Sequence, residues 1–198
     1  KELLKQTVKV DNTKADAVSA WTEESEGIYK ASYTAHLIGD KLTAQLTMPG
    51  WQTKHSDAFS IAGDKDTAKI AAMQITANNA VARRAHNTVA VTVRDVHQNL
   101  LQGQNVTFTV VNGAAVFADP NGGIVTTDKD GIASVNLASD QAVNSLIKAE
   151  INGSSQSVEV SFITGDISQL TSTIKTDDVS YTAGGKIKVS VTLMDEQK

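Results

Sequence analysis

The chain has 198 residues, a net charge of −4 and a pI near 5.5, with Lys and Arg scattered and only Arg83-Arg84 adjacent. That excludes the basic footprint of a nucleic-acid binder, and a hydrophobic share of 40% excludes a disordered polymer. No apolar run approaches the roughly 20 residues of a membrane-spanning helix, and the lack of cysteine excludes disulfide scaffolds, thiolate nucleophiles and cysteine-based zinc sites.

The opening, KELLKQTVKV, carries no signal-peptide pattern and reads as mid-chain text. Lys14 to Gly27, KADAVSAWTEESEG, is the best helix candidate, yet its apolar residues hold no 3.6-residue stripe beyond one turn. Strand signals dominate the rest of the chain. Val89, Val91 and Val93 alternate with Ala90 and Thr92, and Val106, Phe108 and Val110 with Thr107 and Thr109. Ile147, Ala149 and Ile151 flank Lys148 and Glu150; Val158, Val160 and Phe162 flank Glu159 and Ser161. Ile187, Val189, Val191 and Leu193 alternate with Lys188, Ser190 and Thr192. Period-two alternation of β-branched and aromatic residues buries one strand face and wets the other. Asn112-Gly113, Pro120-Asn121-Gly122-Gly123, Asp130-Gly131, Asn152-Gly153 and Gly184-Gly185 supply turns, with Asp130-Gly131 suited to a tight hairpin. Short strands and frequent turns predict an all-β sandwich.

The chain also repeats itself. TEESEGIYKASYTA (Thr22 to Ala35) is echoed by TTDKDGIASVNL (Thr126 to Leu137), with Gly27-Ile28 falling on Gly131-Ile132 at an offset of 104. Tyr29, Ala31 and Tyr33 then match the inward positions Ala133, Val135 and Leu137. Leu42, Ala44 and Leu46 match Ile147, Ala149 and Ile151, and SIAGD (Ser60 to Asp64) matches FITGD (Phe162 to Asp166). VAVTVRD, ending at Asp95, matches IKVSVTLMD, ending at Asp195. A repeat of about 100 residues is a whole domain. The expected division is the later strands of one domain over 1–63, a complete domain over 64–165, and the opening strands of a further one over 166–198. The two partial units are complementary. Either they pair strand against strand between molecules, or the chain is a stretch of a longer one.

In order, VTVRDVHQN (Val91 to Asn99), VTFTVVNG (Val106 to Gly113), TTDKDGIASVNL and IKAEINGSSQSVEVSF (Ile147 to Phe162) resemble the bacterial immunoglobulin-like (Big-1) domains of intimin/invasin-family inverse autotransporter adhesins. WTEESEGIYKASYTA (Trp21 to Ala35) is similar to a variant in the longer members. His97-Gln98 stands where that family usually has Asn-Gly, and Asp195-Glu196-Gln197 also lacks the glycine, so both loops are expected to differ in shape. The resemblance implies tandem immunoglobulin-like β-sandwiches in the exported stalk of a Gram-negative surface protein, anchored by an outer-membrane β-barrel elsewhere in a longer polypeptide. It implies a host cell-surface or extracellular-matrix protein as partner, with no enzyme activity and no cofactor. A pure spacer without ligand and a carbohydrate-binding accessory module of a secreted enzyme are the alternatives, the latter disfavoured by an aromatic content of 5%.

Asp128-Lys129-Asp130-Gly131 looks like the start of a calcium loop, but the twelve-residue ligand spacing and closing Glu are missing and a turn explains all four residues. Asp64, Asp66, Asp166, Asp177 and Asp178 lie near the expected domain junctions without a dense Asp-x-Asp pattern, and read as solvated linker. His36, His55, His86 and His97 show no zinc spacing, so no metal is expected. No Gly-x-Ser-x-Gly elbow occurs. Trp21 is expected to pack across a sandwich end. Trp51, after Pro49-Gly50 in a predicted turn, is the candidate binding residue, the alternative being that it covers the end of its own core or the next domain.

Overall fold

Between residues 69 and 163 the period-two runs become two facing sheets. The computed structural model describes residues 2–13 and 19–196. A short helix, α1 (Glu2–Thr7), precedes seven brief strands: β1 (Val8–Val10), β2 (Thr22–Ser25), β3 (Ile28–Lys30), β4 (Gly39–Leu42), β5 (Ala44–Leu46), β6 (Lys54–His55) and β7 (Phe59–Ile61). A 3-10 turn at Lys65–Thr67 leads to β8 (Lys69–Ala77), β9 (Ala80–Val81), β10 (Asn87–Arg94), β11 (Asn105–Asn112), β12 (Val116–Phe117), β13 (Ile124–Thr126), β14 (Ile132–Ala138), β15 (Asn144–Ile151) and β16 (Ser154–Ile163). The hairpin of β17 (Thr173–Thr176) and β18 (Val189–Thr192) comes last.

One sheet runs β12-β14-β10-β8 and the other β13-β11-β15-β16-β9. All neighbours are antiparallel except β9 on β16. The core is what the alternation foretells: Val89, Val91 and Val93 with Ala133, Val135 and Leu137 on one inner face, and Val106, Phe108, Ile147, Ala149, Val160 and Phe162 on the other. Large is set beside small, as in the cross-strand pairs Phe108 with Ala149 and Val91 with Ala133. Each fully buried Val, Leu or Phe side chain contributes about 1.5–3 kcal/mol.

Among the described residues, Asn87 and Ser145 are polar side chains fully buried in this seal. Asn87, with no exposed surface, accepts the Ala80 N–H at 3.0 Å and donates to the Ser161 carbonyl at 2.9 Å. It thereby ties β10 of one sheet to β9 and β16 of the other.

The flanking segments repeat parts of this arrangement. β1 pairs with β5, Val10 opposite Ala44, as β11 pairs with β15, Phe108 opposite Ala149. β5 continues to β6, Leu46 opposite Lys54, as β15 continues to β16, Ile151 opposite Ser154. Gly27 and Gly131 both take left-handed φ, +78° and +68°.

Several expectations need correction. The turn at Asp130-Gly131 forms, with the Gly131 N–H donating to the Asp128 carbonyl at 3.0 Å. However, β13 and β14 belong to opposite sheets, because β10 and β12 take β14 as their partner. The turn is a corner between sheets, whereas the Gly27 turn closes a true hairpin, β2 on β3. Tyr29 is exposed although its counterpart Ala133 is buried, since among the described residues β3 pairs with β2 alone. The Ile187 to Leu193 run narrows to Val189–Thr192 and is exposed. Of the helix candidate Lys14 to Gly27, residues 14–18 lie outside the described residues, and Thr22–Ser25 is strand. The helix that does occur, ELLKQT, is built from strong helix formers, and the Thr7 hydroxyl donates back to the Leu3 carbonyl at 2.9 Å.

Replacing Asn87 with Ala leaves the Ala80 N–H and the Ser161 carbonyl unpaired in the interior. Urea unfolding should show a loss of about 2–4 kcal/mol, against under about 0.5 kcal/mol for Ser134→Ala on the exposed face of β14.

Candidate functional site

The most elaborate polar constellation lies where the first unit meets the second. β10 ends at Arg94, and the chain turns through Asp95-Val96-His97-Gln98-Asn99. Asp95 is 3% exposed, and its carboxylate accepts four hydrogen bonds. The His97 and Asn99 backbone N–H groups reach Oδ1 at 2.9 Å each, and the Asn99 side chain reaches Oδ2 at 2.9 Å. The fourth comes from the Asp64 N–H in the linker, at 3.2 Å to Oδ2. Burial pushes the carboxyl pKa up, but these donors outweigh it and hold Asp95 below the ordinary carboxylate value.

Asn99 carries the network into the preceding unit. Its Nδ2 donates to the His36 carbonyl at 3.0 Å, and its Oδ1 accepts the Ile38 N–H at 3.1 Å. The rings of His36 and His97 meet across the same junction, centroids 5.1 Å apart and tilted by 59°. The linker runs close beneath: a Cβ on Gly63 would fall 2.3 Å from the Leu101 side chain. Asp64 then caps the 3-10 turn by accepting the Asp66 N–H, and Thr67 accepts the Val96 N–H at 3.2 Å. The departure from Asn-Gly is visible too, since Gln98 takes a left-handed φ of +70° that glycine or asparagine adopts more readily. This arrangement ties the backbone at His36, Ile38 and Asp64 to the turn that follows β10.

Trp51 stands apart, 61% exposed in the loop between β5 and β6, where its backbone N–H donates to the Met48 carbonyl at 3.0 Å. The corresponding β15–β16 connection is the tight turn Asn152-Gly153. Trp21 is half-buried beside Tyr29, its Nε1 enclosed without a hydrogen-bond partner. The Asp128 carboxylate accepts the Asp130 and Ile132 N–H groups, at 2.9 and 3.0 Å, as a turn residue. Asp64 and Asp66 share the 3-10 turn, Asp166 lies between β16 and β17, and Asp177 and Asp178 come directly after β17. Among the described residues, no three His, Cys, Asp or Glu side chains converge as a metal site would require. His36 and His97 are brought together; His55 faces Thr43 and His86 is exposed. Sequence reasoning passed over Asp95 and Asn99. The signal available was the recurrence of Asp at the end of the same strand in two copies, Asp95 and Asp195.

Facing sheets, a Greek-key-like strand order and a polar joint to a second copy define a tandem immunoglobulin-like β-sandwich protein. Residues 70–163 belong to the bacterial Ig-like domain (group 1) family. Along 97% of its length the chain is similar to the inverse autotransporter adhesin YeeJ of Escherichia coli (strain K12), 33% identical over 195 residues, and it spans 8% of that relative. Among solved structures, the Escherichia coli adhesin FdeC shares the fold with a TM-score of 0.62 at 19% identity, covering 96% of this chain and 62% of that one. Invasin, a bacterial integrin-binding protein, is 30% identical over 62% of this chain and 25% of its own, with a TM-score of 0.46.

Because the folded-state pKa of Asp95 is depressed, its stabilisation is complete above the unfolded value of about 3.9 and is lost as pH falls through the lower folded value. Carbon-13 NMR of the Asp95 carboxyl should place its midpoint below about 3.9, and Asn99→Ala should move it upward. A midpoint at or above the ordinary value contradicts the network.

Proposed function

We propose that this chain is a non-catalytic segment of a bacterial cell-surface adhesin of the intimin/invasin type. In this reading, residues 1–63, 64–165 and 166–198 belong to three successive immunoglobulin-like domains, exported and held at the outer membrane by parts of a longer protein. The observation that carries it is the 33% identity to an inverse autotransporter adhesin along 97% of the chain. The joint at Asp95 supports it, because a stalk must resist bending where its domains meet. Its partner is a host cell-surface or extracellular-matrix protein, and Trp51 is the proposed contact. A large aromatic ring in open solvent costs little to desolvate and binds through area.

The test is a binding screen of the chain against host cells and matrix proteins, with Trp51→Ala in parallel. Binding that drops by roughly tenfold or more with Trp51→Ala assigns the contact. Binding that is unchanged removes Trp51 from the reading. Failure of the chain to bind while the parent protein binds leaves a pure spacer. The exposed β17–β18 hairpin, with Ile174 and Val191 open to solvent, is read in the same preparation. Light scattering that returns a strict monomer at high concentration rules out strand pairing between molecules.

A further inference from the structure

The second junction reuses the first junction's chemistry. Asp195 stands 100 residues after Asp95, and its Oδ2 accepts the Gly165 N–H at 3.1 Å, as Asp95 Oδ2 accepts the Asp64 N–H. In both places a glycine lets the linker pass close by, against the Leu101 side chain at Gly63 and against Asp195 at Gly165. A Cβ on Gly63 would lie 3.8 Å from Asp95 Oδ2, and one on Gly165 would lie 3.3 Å from Asp195 Oδ2. The backbone bridges beside them differ: Arg94 pairs with Leu100 across the turn that holds Asp95, whereas Asp195 itself pairs with Ile167.

The surroundings keep the same phase. At the first junction Asn99 fills the space between Asp95 and the loop of His36 and Ile38. At the repeat offset of 104, those two positions correspond to Asp140 and Ala142. Both line an open hollow whose other wall includes Thr164 and Asp195. An added ion pair, Arg84 with Glu196 at 3.3 Å, spans this junction from one unit to the next.

We propose that the aspartate just past β10, Asp95, and its counterpart past β18, Asp195, form a repeated joint-setting device. Each anchors the linker entering its own domain and, through Asn99 at the first junction, grips the domain before it. The angle between consecutive domains is therefore written once per repeat, in one carboxylate. The carboxylate matters because it can accept several N–H groups at once while donating nothing. An amide at this position presents two hydrogens where the linker and loop also present hydrogens. Asp95 and Asp195 are positioning residues, whatever the array binds.

The absence of cysteine in the sequence makes the test direct, since introduced cysteines are labelled alone. Spin labels on Ser32→Cys and Ser134→Cys report the first junction in the full chain; Ser134→Cys and Lys175→Cys report the second. All three sites are exposed. Asn99→Ala leaves Asp95 its three backbone donors, so the sandwich stays closed. It should nonetheless broaden the first distance distribution by roughly twofold or more, since relative motion is the default for domains without a fixed interface. Asp95→Asn should do the same, and Asp195→Ala should broaden only the second distribution. Thermal unfolding of each variant separates joint from core, because a misfolded domain loses its cooperative transition and a loosened joint keeps it. Unchanged distributions with Asn99→Ala overturn the proposal for the first junction. An unchanged second distribution with Asp195→Ala overturns the claim that the device repeats.

Discussion

The seal between the inner faces of the two sheets underlies everything else. Val89, Val91 and Val93 share one core with Phe108, Ile147 and Val160, and that packing fixes where each strand begins and ends. Because side chains alternate, a slip of one residue would turn every one of those groups outward. Register is therefore held by the core, and the loops inherit their positions from it. Asp95 can collect four hydrogens only because β10 stops where the core stops, one residue earlier. The joint is thus a by-product of strand register as much as of its own chemistry.

The joint also shows how polar groups act at a sandwich end. Asp95 and Asn99 are nearly buried, and each is fully used in hydrogen bonding. Such groups add modest net stability but are costly to leave unpaired, so they favour one geometry over its neighbours. An apolar contact of the same size would let the domains slide. A set of directed bonds to backbone N–H and carbonyl groups does not. Because the partners are backbone, the preceding domain can change its side chains there without losing the grip.

How much of this was legible depends on the distance over which each residue acts. The core positions of β10, β11, β14, β15 and β16 could be read directly, since alternation is local and needs no partner to be seen. The repeat was legible from the same signal written twice. The sheet assignment of β14 was not, because Asp130-Gly131 permits both a hairpin and a corner, and β10 decides between them from about 40 residues away. Asp95 and Asn99 were missed for the same reason: their partners Asp64, His36 and Ile38 lie 31 to 63 residues off and contribute backbone atoms, which leave no letter in the sequence. The His36 and His97 contact is likewise a product of the joint. Trp51 was legible as a turn residue, whereas its solvent exposure comes from the length of the β5–β6 loop compared with Asn152-Gly153.

That loop difference has a bearing on how such a chain assembles. Adjacent copies of one fold on a single polypeptide risk exchanging strands while they fold, the characteristic error of arrays of similar units. Here β5 and β6 are joined by a long excursion, whereas β15 and β16 are joined by a two-residue turn. A strand pair from one copy therefore carries a connection of a different length from the one it would replace. Unequal connections mark the two pairs as distinct, so the pattern is shared between neighbours while the parts are not identical.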